Sequence, residues 1–134
     1  MKLRSALISA MGVLAISTLS TVPASAEAGW QSLGNSDFYL DADGSGCHTE
    51  TFSSGGGYIR ASYYRPGHPD TATILRVYEY DPDNADDYIT EWDTYDSSIP
   101  ATFYVENYTD GDNGKAEIYF RGPCTGAPWV HVDD

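Results

Sequence analysis

Apolar and polar residues alternate with period two over several short stretches of this chain, and no long window carries the 3.6-residue period of a helix. Between positions 58 and 64, Ile59, Ala61 and Tyr63 share one parity, and Tyr58, Arg60, Ser62 and Tyr64 share the other. The pattern recurs where Leu75 and Val77 oppose Arg76, Tyr78 and Tyr80, and where Phe103 and Val105 oppose Tyr104, Glu106 and Tyr108. It recurs again where Ala116, Ile118 and Phe120 oppose Glu117, Tyr119 and Arg121. Successive side chains of a strand point to opposite faces, so each segment predicts a strand with an apolar side turned inward. Ile59, Leu75, Val77, Phe103, Val105, Ile118 and Phe120 are the expected core.

Strands are predicted over residues 37–40, 58–64, 73–80, 88–94, 101–108, 115–121 and 129–132. Clusters of Gly, Pro, Asn, Asp and Ser separate them, at 41–46, 53–57, 65–70, 81–84 and 109–114. Asp110-Gly111 and Asn113-Gly114 each place a residue tolerant of positive φ beside or at a glycine, so 101–108 and 115–121 are expected to pair as a hairpin. Evenly spaced short strands of this kind predict an all-β fold, a two-sheet antiparallel sandwich of about seven strands. A small closed barrel is the alternative.

The first 26 residues are different in kind. Lys2 and Arg4 precede an apolar run that includes Leu14, Ala15 and Ile16, and Ala24-Ser25-Ala26 ends it with small residues. This is the pattern of a secretory signal peptide, too short and wrongly flanked for a membrane span. Cleavage after Ala26 is expected to leave 27–134 as a single acidic domain that is secreted. No cysteine for lipidation follows the cleavage site and no apolar tail follows Val132, so no membrane anchor is expected.

Composition sharpens the picture twice. The net charge is −13, and it becomes −15 once Lys2 and Arg4 leave with the leader. A nucleic-acid partner bound through a basic patch is thereby excluded. After Glu27, Leu, Ile, Val and Phe together number only 16, a share that with this charge would suggest disorder. The 11 Tyr and 3 Trp, all after the leader, argue for folding, since each buries on the order of 150–250 Å². Cys47 and Cys124 are the only cysteines, and in an oxidising compartment they are expected to form one structural disulfide that supports a thin core.

Two groups of residues carry candidate chemistry. Asp41, Asp43 and Ser45, followed by Gly46, repeat the opening of a calcium loop, in which alternate oxygens wrap one ion. The twelfth position is Phe52 rather than Glu, so this is no EF-hand; Ca2+ requires Glu50 or a distant carboxylate to close the shell. The alternative is a polar turn. Asp110 with Asp112, and Asp81 with Asp83, Asp86 and Asp87, are weaker versions.

The second group is the face formed by Tyr58, Arg60, Tyr78, Tyr80, Tyr104, Tyr108 and Tyr119. Tyrosine offers a flat apolar ring with a polar tip and suits a sugar ring or a protein surface. An ordinary solvent face is the alternative, because Tyr favours strands on its own account. Arg60, Arg76 and Arg121 are expected to stack on these rings or to pair with Glu106 and Glu117.

The chain has no GxSxG, HExxH or phosphate-binding glycine loop, and His48, His68 and His131 are isolated. The expected function is a non-catalytic binding module or small interaction protein that contacts a glycan or an extracellular protein through the tyrosine face. Two other classes stay open: an inhibitor or toxin-like factor acting through the loop at 65–70, and a small hydrolase with paired carboxylates among Glu79, Glu91, Glu106 and Glu117.

Overall fold

The computed structural model describes residues 29–67, 72–95, 99–109 and 113–134. The leader, His68, Asp110 and Asp112 lie outside the described residues, as does the part of the 65–70 loop beyond Gly67. Ten strands are present among them: β1 (Ser32–Asp37), β2 (Tyr39–Leu40), β3 (Cys47–His48), β4 (Phe52–Ser54) and β5 (Tyr58–Tyr64), then β6 (Ile74–Glu79), β7 (Asp87–Asp93), β8 (Ala101–Tyr104), β9 (Ala116–Gly122) and β10 (Trp129–Asp133). They form two antiparallel sheets. The first has the order β1-β10-β5-β8; the second has the order β2-β3-β9-β6-β7, with β4 also on β9. Neither sheet closes on itself, so the molecule is a sandwich and not a barrel. The described residues contain no α-helix.

The two sheets face each other across one core. Ile59, Leu75, Val77, Phe103, Val105, Ile118 and Phe120 are all buried, as their parity requires, and Tyr63, Trp92, Val130 and Val132 join them. Phe120 lies edge-on or tilted to Phe52, Trp92 and Phe103, with ring centroids 6.1–6.2 Å apart. Aromatic rings thus supply the bulk that the few aliphatic residues do not. Glu79 keeps the inward parity of Leu75 and Val77 and is itself buried.

The expected hairpin between 101–108 and 115–121 does not form. Strand β8 pairs with β5, matching Phe103 with Ile59, whereas β9 lies in the other sheet between β6 on one edge and β3 and β4 on the other. The cause is local. At Val105 the chain leaves the sheet, its N–H donating to Gly57 O at 2.7 Å, and residues Glu106–Tyr108 turn as a short 3-10 segment. Glu106 Oε2 accepts the Gly57 N–H at 2.7 Å and fixes that departure. Phe103 and Phe120 therefore meet across the core, their rings tilted, and not side by side in one sheet. Seven strands become ten because the segment expected at 37–40 divides between the end of β1 and β2, which lie in different sheets, and because β3 and β4 hold only two or three residues each.

The disulfide is present, with Cys47 and Cys124 Cα atoms 5.3 Å apart. It ties β3 to the segment that follows β9. Close by, Gly122 lies so near the core that a Cβ there would sit 2.4 Å from Leu75 Cδ2 and 2.8 Å from Phe38 Cε1. Glycine is needed at that point to let Leu75 and Phe38 pack under the strand.

Candidate binding groove on the second sheet

The outward side chains of the second sheet are arranged in rows across the strands. One row runs through Glu91, Arg76, Arg121 and His48, on β7, β6, β9 and β3. Arg76 and Arg121 are direct cross-strand neighbours, an arrangement that repels unless each finds an acid. Arg76 Nε takes Glu91 Oε1 at 3.3 Å, and Arg121 takes Asp41. The next row is tyrosine. Tyr78 stacks on Tyr119 with centroids 5.5 Å apart, and Tyr88 meets Tyr78 edge-on at 5.6 Å. His48 lies edge-on to Tyr119 at 6.1 Å and extends the aromatic row to the β2–β3 hairpin.

That hairpin folds over the end of the row. Asp41 N–H donates to Gly46 O at 2.8 Å, and Gly44, at φ 73°, returns its N–H to Asp41 O at 2.9 Å. The positive φ explains the glycine. Asp43 Oδ1 accepts the Ser45 N–H at 2.9 Å, which closes the turn. Asp41 is held from three sides: by His48 Nδ1, by Arg121 Nη2, and by the Ser45 hydroxyl at 3.2 Å. At the base, Thr49 is buried and clamps the chain to β9, its N–H donating to Phe120 O at 2.9 Å and its Oγ1 accepting the Phe120 N–H at 3.1 Å.

Between hairpin and sheet lies an open groove of about 750 Å³. Tyr80 and Tyr119 form its aromatic wall; Asp41, Asp43, Glu50 and Asp86 bring four carboxylates; Arg121 is the one permanently cationic side chain lining it. Tyr119 donates its hydroxyl to Asp86 Oδ2 at 2.6 Å, and burial together with that carboxylate pushes its phenol far above the ordinary tyrosine range. It stays a neutral donor at any physiological pH. Partial burial works to raise the Asp41 carboxyl, but the His48 hydrogen bond and the Arg121 charge outweigh it and hold Asp41 low. Hydrogen bonds from Ser45 lower Asp43 in the same way.

The groove joins the two groups of residues that the sequence analysis treated apart: Asp41, Asp43 and Ser45 from the hairpin, and Tyr80 and Tyr119 from the sheet. Tyr78 supports Tyr119 from the next strand. The remaining members of the expected face lie elsewhere. Tyr58, Arg60 and Tyr104 point outward from the first sheet, on the opposite side of the sandwich. Tyr108 sits in the 3-10 segment and packs, partly buried, against the core. The arginines also choose other partners than expected: Arg60 binds Asp133, Arg76 binds Glu91 and Arg121 binds Asp41, while Glu106 caps Gly57. Tyr88 and His48 are additions to the expected face, and Glu50 and Asp86, which the sequence offers only as calcium ligands, line the groove. For Tyr88 the reason is a bulge: Val77 faces Thr90 while Tyr78 faces Tyr88, so Ile89 is skipped and parity flips within β7.

A cation bound by Asp41, Asp43 and Ser45 would compete with Arg121 and His48 for the Asp41 carboxylate. Among the described residues, no three or more His, Cys, Asp or Glu side chains converge as a metal site. Asp81, in the weaker acidic turn, accepts the Asp83 N–H at 2.9 Å and the Asn84 side-chain amide at 2.9 Å.

The lowered carboxyls predict the acid limb of stability. Asp41, Asp43, Asp81 and Asp133 all titrate below their ordinary values in the folded chain. A depressed folded-state value contributes stability above the unfolded pKa of about 3.9, which is lost as pH falls toward the folded value. Thermal melts are expected to be level from neutral pH to about pH 5 and to fall steeply below about pH 4. Asp41→Asn should flatten part of that fall; a melting temperature that is constant through the acid range contradicts the assignment.

A family model described as YndA coiled coil domain matches residues 32–133, from the start of β1 to the end of β10. The chain belongs to that family. The family's description names a coiled coil, whereas the described residues of this member form a β-sandwich without an α-helix. Comparison with curated proteins and with solved structures finds no match.

Proposed function

We propose that this chain is a secreted, non-catalytic binding module that takes a basic segment of an extracellular protein in the groove on its second sheet. The observation that carries this reading is the groove's lining: four carboxylates and two tyrosine rings around one concavity, with Arg121 already committed to Asp41. A lysine or arginine side chain finds there both a carboxylate to pair with and a ring face to cover. The net charge of −13 adds a long-range field that attracts a cationic partner and speeds its encounter. The leader-like segment and the single disulfide support an extracellular setting.

The test is titration of the mature chain with oligolysine and oligoarginine peptides at rising salt. Binding should weaken steeply with ionic strength, and Glu50→Gln or Tyr80→Ala should each reduce it by about tenfold while the melt stays unchanged. Tyr80 and Glu50 are exposed, so neither change should disturb the core. Binding that ignores both substitutions removes the groove as the site.

A further inference from the structure

The first sheet has an outward face of a different character. Its cross-strand rows, read along β5, are Tyr58 with Tyr104, then Arg60 with Asp133, then Ser62 with His131 and Asn35, and last Tyr64 with Trp129 and Asp37. Tyr58 and Tyr104 lie with ring centroids 5.0 Å apart at one end, and Tyr64 and Trp129 stack at 4.0 Å at the other. Trp30 lies over the middle, its ring 5.1 Å from the Arg60 guanidinium carbon. Trp30, Tyr58, Tyr64 and Tyr104 are each between 44% and 59% exposed, a large amount of aromatic surface for one face of a small domain.

We propose that this face is a second binding surface, one that takes an extended uncharged glycan chain laid along the strands. Charge is the first argument. In a chain of net charge −13, this face carries Arg60 and Asp133 paired with each other, and Asp37 as its further acid. An acidic polymer is repelled by the rest of the molecule, and a basic one finds its carboxylates in the groove on the other sheet. What suits a face with rings and almost no net charge is a neutral ligand that combines apolar and hydroxyl surface.

The second argument is the polar strip between the rings. Arg60 donates from Nε and Nη2 to Asp133 Oδ2 at 3.0 and 2.6 Å. His131 Nε2 meets Asp133 Oδ1 at 2.8 Å, and its Nδ1 meets the Asn35 side-chain oxygen at 2.6 Å. Each of these planar groups is fixed by its neighbour, so hydroxyl groups meet donors and acceptors that need not be ordered on binding. A hollow of about 310 Å³ lined by Asn35, Asp37, Tyr39 and Trp129 opens at the end of the strip.

The third argument is length. Six residue steps along β5 separate the Tyr58 row from the Tyr64 row, a span of about 20 Å at the rise of an antiparallel strand. A single sugar touches one aromatic station; a chain touches all three. Affinity is therefore expected to grow with the number of sugars and then level off.

The experiment is calorimetric titration of the full mature chain with neutral β-1,4-linked glucose and N-acetylglucosamine oligomers, from monomer to hexamer, with polygalacturonate as the anionic control. Binding should strengthen with oligomer length, and Tyr104→Ala and Tyr64→Ala should each weaken the longest oligomer by about tenfold with the melt retained. Tyr80→Ala, on the opposite sheet, should leave it unchanged; this separates the face from the groove. Failure of every neutral oligomer to bind overturns the proposal. So does binding that both face variants leave intact. Sedimentation of the same samples supplies the third overturning result: a dimer that Tyr104→Ala and Tyr64→Ala dissociate would make the occupant a second copy of the chain.

Discussion

Replacing Cys47 and Cys124 by alanine together is expected to cost about 4–5 kcal/mol of folding stability. The bridged residues are 77 positions apart, so the cross-link closes a loop holding most of the strands and removes much of the unfolded chain's freedom. The Cα separation of 5.3 Å falls within the ordinary range, so the native backbone accommodates the bond without rearrangement. Its position adds a local effect. β2 and β3 hold two residues each, too few ladder hydrogen bonds to keep the 41–46 turn in place by themselves. Cys47 lies opposite Gly122 in β3, one residue before His48, so the disulfide and the Asp41 contacts to Arg121 and His48 hold the groove's outer wall jointly. Denaturant melts of the double variant should show a lower midpoint, and a steeper slope if the uncrosslinked unfolded state exposes more surface. Groove binding should weaken even where the variant is still folded. A stability loss below about 1 kcal/mol would mean that the Asp41 contacts and the core hold the hairpin unaided.

Period-two alternation is legible wherever a strand is long enough to repeat it, and this explains what the sequence reveals and what it hides. β5, β6, β9 and β10 show their inward faces plainly: Ile59, Val77, Ile118 and Val132 are inside where parity puts them. β2, β3 and β4 hold two or three residues each, too few to repeat the pattern recognisably, and β1, with the sequence SLGNSD, has almost no apolar residues to alternate. Parity says whether a side chain points in or out, but not to which sheet its strand belongs. The tyrosines illustrate this: Tyr58 and Tyr104 point outward, and so do Tyr78 and Tyr119, yet the two pairs face opposite directions in space. Strand partners depend on chain path. The Glu106 side chain on Gly57, which sends β8 to β5, links residues 49 apart and leaves no local trace in the pattern. The groove was half visible for the same reason. Its members are ordinary turn and strand residues until Arg121 reaches Asp41, across 80 positions.

Phe120→Ala is expected to destabilise the chain by about 3–5 kcal/mol. Phe120 is fully buried and lies against Phe52 and Trp92 of its own sheet and Phe103 of the other, so its loss opens a cavity at the seam between sheets. Three rings of limited flexibility surround the vacated space, so little of it can collapse, and the cost should fall toward the upper end of that range. For a domain of this size that is a large fraction of a total stability of roughly 5–15 kcal/mol. Tyr104→Ala, at a half-exposed ring on the surface of the first sheet, should stay within about 0.5 kcal/mol, which is what makes it a clean probe of binding. Phe120 also connects core to groove, because its strand neighbours Tyr119 and Arg121 both line the groove and its backbone is clamped by Thr49. Any shift of β9 into the cavity displaces Tyr119 from Tyr78 and Arg121 from Asp41. Phe120→Ala is therefore expected to weaken oligolysine binding at temperatures where the variant is still folded, whereas Phe120→Leu, which refills part of the space, should recover most of both losses. A variant that loses the stability but binds as tightly as the parent would show that the groove is held by the hairpin and the disulfide alone.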